Sequence, residues 1–360
     1  MLGSHPGSIR LGIDKGVVMR ASLKDIARQV GVSVSTVSYA LNDGPKPVAA
    51  DLKERIKAVA AELDYRPNQL AKSMKTRRSK IVGLAHTNIR EHFLGLPMIG
   101  PTMSGVTDAA IDDGYDVLLY THAKILDGEE LLNYLLDGRA DGMILVAPER
   151  SDTTIELVAG RNFPIVVVAG KPIGTAPHIL LDNVAAMRLA IEHLRTLGHT
   201  KIGHLAGRQT LWDGEERKAA FQSICHEMNL EVRHEWIADT EFSLESGERA
   251  ARAILHSKER PTALVCANDF TALGAVRAAQ EIGLSVPEDL SLVGVDNSVE
   301  GMVSSVPLTT ITFPFEEVGR AAFRAFMAKL DGQQPPRVQI FSPQLVVRSS
   351  TASPKKDIAS

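Results

Sequence analysis

The sequence predicts a small all-α helix-turn-helix head followed by a two-lobed α/β body of doubly wound parallel sheets. Three observations lead there. Short amphipathic helical patterns crowd into residues 22–63, and apolar runs of four or five residues recur from Ile81 onward. The charge also reverses between the two regions. Residues 19–80 carry thirteen Lys/Arg against six Asp/Glu, a net of +7, while residues 81–360 carry twenty-five against thirty-six, a net of −11. A basic head on an acidic body suits a polyanionic partner for the head alone. A chain of 360 residues exceeds one ordinary domain, so two or three compact units are expected.

Residues 1–18 show no period and carry four glycines, which predicts a disordered extension before a natural start near Met19. The head then spans 19–66. Ser22 is placed to cap a first helix, with Asp25 at capping-box spacing. Ile26, Ala27 and Val30 form its apolar face, and Gly31 supplies the stop. Ser33 caps a second helix with Val37, Ala40 and Leu41 inward. A third helix from about Ala49 carries Leu52, Ile56, Val59 and Leu63 at spacings of four, three and four. In 67–80, Pro67 breaks the chain and Asn68 can cap a short hinge helix, too short to persist alone in water.

The body, 81–348, alternates buried strands with amphipathic helices. Ile81–Ala85, Val117–Tyr120, Met143–Val146, Ile165–Ala169, Ile202–Ala206, Ala263–Cys266 and Leu292–Val295 read as parallel strands covered on both faces. Helical stretches at 184–197, 215–228, 245–256 and 270–282 separate several of them. A doubly wound architecture of this length divides into two similar lobes. The tail 349–360 is polar and aperiodic, which predicts disorder.

The segment Ile26 to Ser38 has helix-turn-helix logic. Ala27 permits a close helix crossing, Gly31 makes the turn, and Val37 anchors the second helix. Val34, Ser35, Thr36, Ser38 and Tyr39 then face outward near that helix's N-terminal half, where short side chains reach base edges. The stretches "LKDIARQVGVSVSTVSYALN" and "LDYRPNQLAKSMKTRRSKIVGL" closely resemble the lactose repressor (LacI) family of transcription regulators. The resemblance implies a second helix in the major groove and a hinge helix in the minor groove. It makes Val34, Ser35 and Tyr39 base readers, with Ser33, Thr36, Ser38, Asn42, Tyr65 and Asn68 holding the DNA backbone. Tyr39 stands where many members have Arg, so a bidentate guanine contact is lost. Met74 replaces the usual wedging Leu and can still unstack a base step. Lys72, Lys75, Arg77 and Arg78 are expected near phosphates.

The body resembles that family's periplasmic-binding-protein-like domain, in stretches such as "LLDNVAAMRLAIEHLRTLGHTKIGHLAG" and "ALVCANDFTALGAVRAAQEIGLSVPEDLSLVGVDN". Asp182, Asn268, Asp269 and Asp296 each follow a strand, where open α/β sheets bind ligands. Carboxylates and amides suit multiple hydroxyls, and Arg217 offers a forked donor. The family uses positions matching Arg217, Asn268 and Asp296 for effector contact. Its "RxxGF" appears here with Ala220 in place of Gly. Capping of helices is an equal reading for Asn183 and Asp269. Phe93 and Trp212 are candidates for stacking on a sugar face or for packing.

The resemblance implies a cytoplasmic, non-catalytic repressor working as a homodimer. Its partners would be a pseudo-palindromic double-stranded DNA operator and a small effector. A sugar is the first expectation for the effector; a nucleoside, purine or polyol is the alternative. An α/β enzyme is disfavoured: G-x-G-x-x-G after a strand, G-x-x-x-x-G-K-[ST] and G-x-S-x-G are all missing. His193, His199 and His204 do not share a helix face, so no metal and no cofactor is expected. Cys225 and Cys266 alone give no disulfide framework. No apolar run reaches membrane-spanning length, and no leucine heptads suggest a tetramer.

Overall fold

The computed structural model describes residues 21–42, 46–66, 78–86, 95–121, 128–158, 160–257 and 259–355. The chain divides into two compact units, the second beginning at Arg78. In the first, helices α1 (Leu23–Val30), α2 (Val34–Asn42) and α3 (Ala50–Glu62) enclose Ile26, Ala27, Val30, Val37, Ala40, Ile56 and Ala60. Asp25 reaches back to accept from the Ser22 N–H at 3.0 Å and the Ser22 hydroxyl at 2.7 Å, which sets the start of α1. Gly31 ends α1 at φ +77°, with its N–H donating to the Ala27 carbonyl at 3.0 Å. The expected extension 1–18 lies outside the described residues, as does most of the hinge segment, 67–77.

The second unit is a pair of lobes. Strands β1 (Ile81–His86), β2 (Asp116–Tyr120), β3 (Met143–Val146), β4 (Ile165–Val168) and β5 (His178–Leu181) alternate with α4 (Ile99–Asp112), α5 (Gly128–Leu135) and α6 (Thr154–Val158). The chain crosses to the second lobe with α7 (Asn183–Thr196). There β6 (Ile202–Ala206), α8 (Trp212–Glu227), β7 (Ile237–Asp239), α9 (Leu244–Leu255), β8 (Ala263–Cys266), α10 (Asp269–Glu281), β9 (Ser291–Val295), α11 (Val299–Val303) and β10 (Thr309–Thr312) follow in turn. It returns with α12 (Phe315–Leu330) and β11 (Val338–Phe341), then crosses a third time to β12 (Gln344–Val346). The sheets run β11-β5-β4-β3-β1-β2 and β12-β10-β9-β8-β6-β7. Every pairing is parallel except β10 with β12. Strand order reverses at β1 and at β6, so each lobe opens a crevice at its strands' carboxyl ends.

Glycines bring helices to backbone contact in both lobes. A Cβ on Gly105 of α4 would lie 1.9 Å from the Glu316 carbonyl oxygen, and one on Gly319 of α12 2.0 Å from that of Thr102. In the second lobe, Gly247 of α9 and Gly274 of α10 meet the backbone of Thr271 and Leu244 in the same way.

The tail departs from its expectation. From Ser349 to Lys355 the chain lies against the second lobe, because its small polar groups complete edge hydrogen bonds there. Ser350 is fully buried, donating to the Leu292 carbonyl at 2.6 Å and accepting from the Thr309 N–H at 2.8 Å. His199 reaches the Ala352 carbonyl at 2.9 Å.

Candidate functional site

On the head, the Ser33 hydroxyl accepts from the Thr36 N–H at 3.1 Å and so caps α2. Val37 and Ala40 turn inward, which leaves positions 34, 35, 38, 39 and 42 as one outer stripe at three- and four-residue spacing. Ser33, Val34, Ser35 and Asn42 are exposed, while Thr36, Ser38 and Tyr39 are half-buried. Val34 is a 40% exposed apolar side chain on an otherwise polar stripe. Asn42 turns its amide back to the Ser38 carbonyl at 3.1 Å. Tyr65 packs half-buried against the head's core, and burial raises its phenol. Asn68, Met74 and Lys75 lie outside the described residues. Arg78, expected near phosphate, donates to Asp331 at 2.8 Å.

Between the lobes lies a cleft of about 500 Å³ counting its open mouth. His86, Leu96, Met98, Ile99, Ala147 and Ala169 line it from the first lobe. Leu211, Asp213, Arg217, Phe242, Asn268 and Asp296 line it from the second. Ala147, Ala169, Phe242, Asn268 and Asp296 follow strand ends, and four of them hold left-handed backbone: Ala147 at φ +43°, Ala169 at +54°, Phe242 at +58° and Asp296 at +108°. Such strain in non-glycine residues collects where backbone is shaped for a site. Gly207 makes room for Phe242, since a Cβ there would fall 2.1 Å from the ring. At the mouth the lobes join. Arg150 donates its N–H to the Thr210 carbonyl at 2.9 Å and pairs with Glu215 at 2.8 Å, and Arg208 pairs with Glu149 at 3.5 Å.

Arg217 organises the polar end. It is 2% exposed, and its Nε donates to Asn183 Oδ1 at 2.7 Å and its Nη1 to the Ala267 carbonyl at 2.5 Å. Its Nη2 lies 3.9 Å from Asp213, one helical turn earlier on α8. Asn183 completes the cluster, donating to Asp213 at 2.9 Å and Glu216 at 2.8 Å. Burial pushes the carboxyls of Asp213, Glu216 and Asp296 above their ordinary range, and the Arg217 guanidinium pulls each back in part.

The sequence-nominated residues divide. Arg217, Asn268 and Asp296 line one cleft. Asn268 also caps α10, accepting from the Thr271 N–H at 2.9 Å. Asp182 is instead the cap of α7, accepting from the Ala185 N–H at 2.9 Å. Asp269 is fully buried beneath the Asp296 loop, accepting from the Ser298 N–H at 2.7 Å and the Thr310 hydroxyl at 2.6 Å. Gly294 leaves the space for that carboxylate, so Asp269 holds the loop and does not line the cleft. Trp212 also does not line it: Leu211 takes the wall position, and Trp212 Nε1 is buried without a partner among the described residues. Phe93 lies outside the described residues. Sequence reasoning missed Asp213, Phe242 and His86. Asp213 could have been found from its i,i+4 relation to Arg217; Phe242 follows a three-residue strand too short to recognise.

Comparison with known proteins gives two matched regions: bacterial regulatory proteins of the lacI family over residues 22–68, and a periplasmic binding protein-like domain over 191–351. HTH-type transcriptional repressors PurR of Serratia proteamaculans (strain 568) and Yersinia pestis (strain Pestoides F) are 34% identical over 337 residues, covering 92% of this chain and 97% of theirs. The lac repressor dimer bound to operator and the anti-inducer ONPF superposes with a TM-score of 0.81 at 27% identity, covering 92% of this chain and 99% of that one. The transcriptional regulator CelR–cellobiose complex superposes at 0.71 and 26% identity, covering 92% and 100%. Among the described residues no helix is long and apolar enough to cross a membrane, and no group of three His, Cys, Asp or Glu could hold a metal.

Proposed function

The chain belongs to the LacI family of bacterial regulatory proteins, and from that premise we propose that it is a transcriptional repressor whose grip on operator DNA is set by a small polar ring compound bound between its lobes. It is a DNA-binding repressor and not an enzyme. The observation that carries the effector half is the buried Arg217 cluster opening on a cleft walled by both lobes.

The head reads duplex DNA through the outer stripe of α2. Val34, Ser35 and Tyr39 meet base edges, and Ser33, Thr36, Ser38, Asn42, Tyr65 and Asn68 meet phosphates. Met74 and Lys75 act from the hinge, the first as a minor-groove wedge and the second on phosphate. A homodimer presents two heads to a pseudo-palindromic site in the cytoplasm, because one head reads too few base pairs. The effector meets Arg217, Asn268 and Asp296, with its body against Leu96, Met98, Leu211 and Phe242. The mouth contacts of Glu149 and Arg150 with Arg208, Thr210 and Glu215 define one lobe arrangement. An effector that prefers this arrangement to another shifts the hinge spacing by its differential affinity, typically about 1–3 kcal/mol.

A sugar suits this cleft, as cellobiose does CelR. A purine-related compound is the second reading, favoured by the PurR relatives and by seven apolar lining residues against five polar ones. Thermal-shift screening of sugars, polyols, purine bases and nucleosides separates the two, since stabilisation grows with concentration over Kd. Removal of residues 1–66 is expected to abolish duplex binding and leave the effector's thermal shift intact. Duplex binding that survives the truncation overturns the assignment of the head.

A further inference from the structure

The basic run that follows the hinge ends against the body. Two of its cations, Arg78 and Lys80, lie among the described residues, and the body holds both. Lys80 Nζ stands 4.5 Å over the Tyr115 ring and donates to the Asp113 carbonyl at 3.2 Å. Arg78 Nη2 donates to Asp331 at 2.8 Å, within the second compact unit. The backbone between them is clamped. Asp141 accepts from the Ser79 N–H at 2.5 Å, the Ser79 hydroxyl at 2.9 Å and the Lys80 N–H at 3.1 Å. Lys80 then turns the chain into β1 with left-handed backbone at φ +60°. Arg78 is thus the last residue before a fixed point, and its long side chain can exchange partners through rotamers alone.

Asp331 is set in place as firmly. It closes α12, where Gly332 at φ +75° and the Gln333 N–H, donating to the Ala328 carbonyl at 2.8 Å, end the helix. The close backbone approach at Gly105 and Gly319 locks α12 against α4. A carboxylate at a helix C-terminus adds to the negative end of the dipole, so it gains from a cation beside it. The Asp331 hydrogen bond raises the Arg78 pKa, and the charges of Asp331 and Asp141 add to that effect. Arg78 therefore meets on the body what a phosphate would offer it: anionic oxygens for a forked donor.

We propose that Asp331 is an internal stand-in for a DNA phosphate: it holds Arg78 in the free protein, the DNA backbone has to displace it, and duplex affinity is lowered by that competition. Asp331 is then an affinity-setting residue that touches no DNA and acts through Arg78. The two side chains are 38% and 45% exposed, which keeps the pair weak enough for a phosphate to win. A pair that instead positioned the hinge for binding would have the opposite sign, since breaking it would weaken the complex. The proposal rests on the chain binding duplex DNA through its head and hinge. Failure of the unaltered chain to bind any duplex would sink that reading, whereas differences between variants test this one.

The test is a double-mutant cycle in the full chain: Asp331→Asn, Arg78→Gln and the two together, read by fluorescence anisotropy. The probe is a duplex selected from a random library by the unaltered chain and kept the same for every variant. A mixed-sequence duplex of equal length serves as a second probe at low salt. Asp331→Asn should tighten binding about two- to fivefold, the range of an exposed ion pair. The gain should shrink as salt rises, because salt screens the competing pair, and the slope of log affinity against log salt should steepen by at most about 0.9. With Arg78→Gln already present, Asp331→Asn should change affinity by less than about 1.5-fold, which separates the pair from the mere loss of one negative charge. Unchanged or weaker binding by Asp331→Asn overturns the proposal, and so does a gain of equal size with and without Arg78. Asp331→Ser supplies the same reading if the thermal midpoint shows that the amide disturbs the helix end.

Discussion

His204, in the middle of β6, shows how one side chain ties stability to pH. Its ring is fully buried, stacked on Phe221 at 4.7 Å, with Nδ1 on the Val265 carbonyl at 2.8 Å. Burial lowers its pKa to about 4, from 6.5 in the unfolded chain. Between those values the unfolded chain binds the extra proton, so stability is full above pH 6.5 and falls as pH drops toward 4. The loss is about 3 kcal/mol from this residue alone. Buried His178 and His199, also lowered by burial, act in the same direction. Asp269, raised by burial to about 6, acts oppositely: its proton favours the folded state in the acid part of that window. The difference between wild type and His204→Gln isolates the ring. Urea midpoints measured from pH 7.5 to 4.5 should fall less steeply in the variant; parallel curves would remove His204 as the cause.

At the scale of elements, the α4–α12 crossing reverses an ordinary rule. Replacing a helical glycine with alanine normally stabilises by about 1 kcal/mol. At Gly319 the new methyl would meet the Thr102 carbonyl at 2.0 Å, backbone that cannot step aside. Gly319→Ala is expected to destabilise by about 1–3 kcal/mol, read as a lower urea midpoint. A neutral or raised midpoint would mean that the helices part freely. This crossing was not visible in the sequence, because glycine's role there depends on a helix some two hundred residues away. The buried strands were legible: the seven apolar runs coincide with β1–β4, β6, β8 and β9 to within a residue at either end. Strands β7, β10, β11 and β12 were not read as strands, since they are short, Thr-rich or at sheet edges with exposed faces, like β11. Periodicity reports burial, and these segments are incompletely buried or polar. The cleft was legible where a polar residue followed a strand, as with Asn268 and Asp296. The same cue misled at Asp182, whose side chain satisfies a helix N-terminus instead. Loop Phe242 carried no pattern at all.

At the scale of the molecule, the charge reversal assigns different work to the two ends. The head's Lys/Arg excess implies counterion release on DNA, each phosphate contact contributing about −0.9 to the slope of log affinity against log salt. Duplex affinity of the intact protein should therefore fall with a slope of about −4 or steeper, measured by anisotropy between 50 and 200 mM salt. A flat dependence would remove the basic segment from the interface. The body answers to different physics, because its chain passes between lobes three times, before α7, before α12 and between β11 and β12. Cutting any one passage leaves two covalent tethers, so a single nick should not release either half. Three covalent passages at one junction oppose sliding of one half past the other more than they oppose bending, so hinging like a clamshell is the motion this connectivity favours.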